Sequence, residues 1–190
     1  MKTEATSERL PIARIAVKGN CPVCAAVKHF QDSLLLNLHI IKNARLCNVH
    51  TWSIAKSASA EVAASVFLDA LKSRTSSAHL PSPSHCIACM KIHEEEVTRI
   101  KEVSEDLKWS AIGTWLKEYA RFCIRHSGAI KQLVAGALQK AIEESAISTA
   151  LELRKELEEF VQQARRGNHA GGGVLGRAAE FLVAQRGILD

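Results

Sequence analysis

Six cysteines stand at positions 21, 24, 47, 86, 89 and 123, and every one belongs to a motif. "CPVC" at 21–24 is followed by "LCNVH" at 46–50, and "CIAC" at 86–89 is followed by "FCIRH" at 122–126. Each half of the chain therefore reads C-x2-C, a spacer, then apolar-C-x2-H, with spacers of 22 and 33 residues. Two copies of one order are a strong sign of designed chemistry rather than chance placement. Three cysteines and a histidine form one of the usual ligand sets of a structural zinc ion. A C-x2-C step can bring two sulfurs to one ion, and the free N–H groups of a first helical turn favour thiolate over thiol. The C-x2-H step supplies the other two ligands from a second helix start.

Closing each set within its own half orders the least chain. The spacing therefore predicts one site from Cys21, Cys24, Cys47 and His50 and a twin from Cys86, Cys89, Cys123 and His126. The alternative is a crossed pairing, in which CPVC joins FCIRH and CIAC joins LCNVH. The same donors could hold two iron–sulfur clusters instead of two zinc ions. Charge does not separate the two, because Zn2+ or a [4Fe–4S]2+ core with three thiolates is −1 either way. A thioredoxin-like redox couple would need a βαβ context, and a disulfide framework would need an exported protein.

The remaining histidines fit the repeat poorly. His93 lies four after Cys89, but the matching position after Cys24 is Lys28; His85 precedes Cys86, but Asn20 precedes Cys21. His29, His39, His79 and His169 have no counterparts and read as surface or packing residues. Trp52, Trp109 and Trp115 read as core or as cover for the metal sites, and Glu94–Glu96 as a helix N-terminal charge preference.

The elements that position these donors read as helices throughout. Residues 22–42 carry Val27, Phe30, Leu34, Leu35 and Leu38; helices follow from Cys47 to about Ser57 and over 60–73. In the second half Val97, Ile100, Val103, Leu107, Ile112, Trp115, Leu116 and Tyr119 recur at threes and fours, with a possible break at Gly113. The 11 extra residues of the second spacer equal about three helical turns, which preserves the phase of the returning motif. Ile130, Val134, Leu138, Ile142, Leu153, Leu157, Phe160 and Ala164 predict one long helix ending near Arg166, although Gly128 weakens its start. "GNHAGGG" at 167–173 reads as a flexible stop, and residues 174–186 as an amphipathic helix with Val174, Leu175, Ala178, Ala179, Leu182 and Val183 on its apolar face. The expected fold is all-α: tandem helical metal-binding units, then a long helix and a short C-terminal amphipathic helix. The expected organisation is an extension over 1–20, a first unit over 21–73, a Ser/Pro-rich linker over 74–85, a second unit over 86–128, and the long helix, glycine hinge and terminal helix over 129–190.

Composition sets the class. At 190 residues, with 47% hydrophobic and 24% charged, the chain can bury a real core. Its first twenty residues lack the apolar region of a signal peptide, and "LLLNLHII" at 34–41 is too short to span a bilayer. The expectation is a cytoplasmic protein with reduced cysteines. The net charge is +5, and the excess lies in residues 1–80, with ten Lys/Arg against five Asp/Glu. Two divalent ions on six thiolates would lower the total to +3, and no compact basic run with interleaved aromatics is present, so a nucleic-acid role is weakly supported.

The pattern carried by Cys21, Pro22, Cys24, Leu46, Cys47 and His50, and again by Cys86, Cys89, Phe122, Cys123 and His126, resembles uncharacterised bacterial families of helical domains with repeated CxxC…(L/F)CxxH units. The resemblance covers residues 20–130; Ile87 replaces the proline in the second unit. It implies metal sites on a helical fold and supplies no activity. The chain contains no G-x-S-x-G, P-loop or H-E-x-x-H motif, and "GGGVLG" follows a helix rather than a strand. The reading is a non-catalytic zinc adaptor whose C-terminal helices meet a protein partner or a second copy; the alternative is an iron–sulfur electron-transfer subunit.

Overall fold

The computed structural model describes residues 20–37, 46–73, 86–108, 121–167 and 173–184. The expected linker over 74–85, Trp109, Gly113, Trp115, and all but one residue of the N-terminal extension lie outside the described residues. Within them the fold is all-α: α1 (Pro22–Asn37), α2 (Asn48–Ser57), α3 (Ala60–Ser73), α4 (Ile87–Asp106), α5 (Ile124–Lys131), α6 (Ala137–Arg165) and α7 (Gly173–Val183). No helix among the described residues is long and apolar enough to cross a membrane.

Helices α1 and α4 form the centre of the fold and pack along their length. Each begins directly after the first cysteine of its C-x2-C motif, and in α1 Pro22 takes the first helical position, where its missing N–H is no loss. Each buries a stripe at helical spacing: Val23, Val27, Gln31 and Leu35 on α1, and Ala88, Ile92, Glu96, Arg99 and Val103 on α4. Val23 and Val27 share a core cluster with Val103 and Leu107, whereas Leu35 shares one with Cys86 and Ala88. The two helices therefore run antiparallel, with their C-x2-C motifs at opposite ends.

The short helices close the two ends. Helix α2 packs on α1 and on α3, and Ile54, Ala63 and Val66 complete the core cluster around Cys47 and Cys86. Helix α5 packs on α4, and Phe122, Ile130, Val134 and Ile142 complete the other, around Cys21, Cys24 and Cys123. The repeat extends into this packing. Ile54 and Ile130, each seven residues after the returning cysteine, are both fully buried. Thr51 Oγ1 and Ser127 Oγ, each four residues after it, donate to the carbonyls of Cys47 and Cys123 at 2.8 Å in both cases.

The long C-terminal helix begins later than its apolar periodicity predicts. Helix α5 stops at Lys131, and α6 starts at Ala137 after Gly136, whose φ of 62° and ψ of −133° suit glycine and few other residues. Periodicity runs through the break because Ile130 of α5, Val134 of the connection and Ile142 of α6 serve one core. Helix α7 folds back onto α5 and α6 and buries Val174, Ala178 and Phe181. This stripe is rotated from the expected face, leaving Leu182 58% and Val183 68% exposed. Trp52 is 61% exposed and does not belong to the core.

Gly136→Ala is expected to destabilise the protein by about 1–3 kcal/mol, the usual cost of a side chain forced into a sparsely populated backbone region. A Cβ at Gly128, inside α5, meets nothing within 4 Å. Gly128→Ala should therefore stabilise by about 0.4–1 kcal/mol. Denaturant melts that moved both variants in the same direction would contradict this account of the break.

Candidate metal centres

All eight predicted donors gather into two groups, and the grouping is crossed. Cys21, Cys24, Cys123 and His126 form the first centre; Cys47, His50, Cys86 and Cys89 form the second, and within each the ligand atoms lie within 4.8 Å of one another. The expected local sets are thus corrected: each C-x2-C motif meets the C-x2-H motif of the other half. The loop-closure argument holds for flexible chain. Here the spacer begins with a rod. Sixteen residues of α1 span about 24 Å, and twenty of α4 about 30 Å. Each rod carries the chain away from its own C-x2-C, toward the end where the antiparallel partner helix begins.

Local geometry turns the donors inward. Cys47, Cys86 and Cys123 occupy N-cap positions with extended backbone, and none of their side chains caps its helix. The sulfur is free to point into the centre while the following turn presents His50 or His126. In the first centre His126 Nδ1 stands 3.4, 3.3 and 3.2 Å from the sulfurs of Cys21, Cys24 and Cys123, and the Cys24 and Cys123 sulfurs are 3.8 Å apart. In the second His50 Nδ1 stands 3.3, 3.5 and 3.4 Å from the sulfurs of Cys47, Cys86 and Cys89, with Cys47 and Cys89 sulfurs 3.7 Å apart. All six cysteines are free thiols, and only Cys89 is less than fully buried. Each centre could hold a metal ion.

Charge at the first centre favours that role. Burial pushes the His126 imidazole toward neutrality, but its bonds to Cys123, Cys21 and Glu96 win and raise its pKa to about 11. Hydrogen bonds from Cys21 and Cys24 hold Cys123 far below the ordinary thiol range against the opposing effect of burial, with His126 helping, and the bond to Cys123 pushes Cys24 far above it. At the second centre burial raises Cys86, yet the His50 bond and the backbone amides of Cys89 and Cys47 bring it down to about 6. At the first centre a sulfur anion thus stands against a cationic imidazole; a divalent ion there would replace the shared protons and take every thiolate.

Glu96 is a residue that motif reading missed. It does not lie in the first turn of α4 but is buried, and its Oε1 accepts from His126 Nε2 at 2.9 Å. Arg125 donates through Nε and Nη2 to the same carboxylate at 2.9 and 3.1 Å. Burial disfavours the Glu96 anion, but the His126 and Arg125 bonds hold its pKa below the usual value. A carboxylate on the outer nitrogen of a ligating histidine fixes the tautomer and orients the ring, leaving Nδ1 for the ion. The available signal was position: Glu96 lies ten residues after Cys86 on the inward stripe of α4, with Arg125 immediately before His126. His93, by contrast, is exposed and belongs to neither centre.

A cleft of about 360 Å3 opens beside the first centre, lined by Cys21, Cys24 and Cys123 and rimmed by Lys28, Arg121 and Arg177. Its cations are paired: Lys28 with Asp32, Arg121 with Glu152 at 2.7 Å, and Arg177 with Glu156. No protein-family model, curated protein or solved structure matches the chain.

Cys47→Ser is expected to remove one of two bound ions and to raise the reactivity of Cys86 and Cys89 toward a thiol reagent, leaving Cys21 and Cys24 protected. Mass spectrometry of alkylated peptides reads this directly. Exposure of Cys21 and Cys24 instead would restore the local pairing.

Proposed function

We propose that this protein is a non-catalytic helical adaptor held together by two structural zinc ions, one in each Cys3His set. The spacing of the donors carries the reading. With Zn–S of about 2.3 Å and Zn–N of about 2.0–2.1 Å, a tetrahedron has S···S edges of about 3.8 Å and S···N edges of about 3.6 Å. One S···S separation in each centre is 3.8 or 3.7 Å, and the S···N separations run from 3.2 to 3.5 Å. An iron–sulfur cluster spreads its protein ligands over several irons with sulfides between them. Donor atoms all within 4.8 Å of one another suit a single ion better.

Four protein ligands leave no coordination position for water, which is the arrangement of structural rather than catalytic zinc. A reducing compartment such as the cytoplasm suits six thiolates. The adaptor role draws on the C-terminal helices, where Leu182 lines an apolar groove of about 530 Å3 between α6 and α7 beside exposed Val161. Exposed apolar surface of this kind suits a protein partner or a second copy.

Protein purified without oxygen is expected to carry two zinc ions per chain and to be colourless; broad absorption near 400 nm with stoichiometric iron would establish the cluster reading. Apparent binding at a structural zinc site is about 10–16 kcal/mol, against about 5–15 kcal/mol for the whole stability of a domain. Strong chelation should therefore abolish the cooperative thermal transition seen by circular dichroism. An unchanged melt with the metal gone would refute a structural role.

A further inference from the structure

The two centres have the same donors but different surroundings. In the first, His126 Nε2 meets a buried carboxylate that is itself paired to Arg125. In the second, His50 Nε2 is fully buried and meets no hydrogen-bond partner, and Gln31 Oε1, also buried, meets none either. The repeat relates these atoms. Gln31 lies ten residues after Cys21 as Glu96 lies ten after Cys86, His50 lies three after Cys47 as His126 lies three after Cys123, and Val49 stands where Arg125 stands. Helix α1, which carries Gln31, packs on α2, which carries His50.

We propose that Gln31 is the positioning residue for His50, and that its neutral amide makes the Cys47/His50/Cys86/Cys89 centre the exchangeable one of an unequal pair. The inference rests on the zinc reading above. Brought together, the two unpartnered atoms would pair, the amide oxygen accepting the Nε2 proton and fixing the ring, but the amide would add no negative charge to strengthen the imidazole as a ligand. Glu96 does add it, and Arg125 keeps that charge balanced inside the core. Outer partners of ligating histidines typically change metal affinity by about 10–100-fold. Cys89, the one half-buried cysteine of the six, also belongs to the second centre. Access alone would give the opposite order, since the larger opening, the cleft, lies beside the first centre. The chain would thus combine one ion kept for folding with one that responds to the supply of free zinc.

Zinc release from the doubly loaded protein into excess 4-(2-pyridylazo)resorcinol tests this. Two phases of equal amplitude are expected, about 10-fold or more apart in rate. The fast phase should vanish in Cys47→Ser and persist in Cys123→Ser. Gln31→Glu combined with Val49→Arg, which rebuilds the carboxylate–arginine pair, should slow the fast phase to near the slow one, and Glu96→Gln should speed the slow phase. A single rate for both ions overturns the proposal, as does a fast phase lost in Cys123→Ser. If the rebuilt double variant does not fold, Glu96→Gln decides, and an unchanged slow phase overturns it. Failure of the wild-type protein to take up two ions with zinc in excess would overturn the zinc reading first, and this inference with it.

Discussion

The antiparallel packing of α1 on α4 is the constraint on which everything else depends. Each helix starts at a C-x2-C motif and ends one rod-length away, beside the start of its partner. That arrangement places one pair of sulfurs at each end of the helix pair. It also delivers the chain leaving each helix to the opposite pair. The C-x2-H motifs, each at the N-terminus of a short helix, then close the ends. Both centres join the two halves of the chain, so an ion at either one ties together segments about a hundred or about forty residues apart, as in Cys24 with Cys123 and Cys47 with Cys89.

This geometry also explains why polar groups survive in the core. The buried positions of α1 and α4 are apolar except at Gln31 on one and at Glu95, Glu96, Arg99 and Ser104 on the other. Arg99 is held by Glu95 at 2.7 Å and Glu102 at 3.0 Å along its own helix, and Glu96 by Arg125 and His126. A buried charge is tolerated when it is paired and hydrogen-bonded. Here the pairing has a chemical outcome, because the charge reaches the outer nitrogen of a histidine that could hold a metal ion.

Much of the site was legible because cysteine and histidine at fixed spacings leave few uses other than a metal. The helices α2 and α3 were legible from composition, and the all-α class from periodicity. The pairing was not, because spacing counts residues along the chain and ignores the stiffness of the helix between them. Gly136 escaped notice because Ile130, Val134 and Ile142 keep the period of one helix, although Ile130 and Ile142 lie on two helices and Val134 on the connection between them. Glu96 was hidden in an acidic run that a helix-dipole preference seemed to cover; only the stripe of α4 separates the buried Glu96 from the exposed Glu94.

The crossing of the ligand sets is tested most directly by cutting the chain between its halves. A protease site inserted in the Ser/Pro-rich stretch at 74–85 would allow the metal-loaded protein to be cleaved after folding. The two pieces are expected to stay together with both ions bound, and to separate, metal-free, when a strong chelator is added. Pieces that part under native conditions, each carrying its own ion, would contradict it.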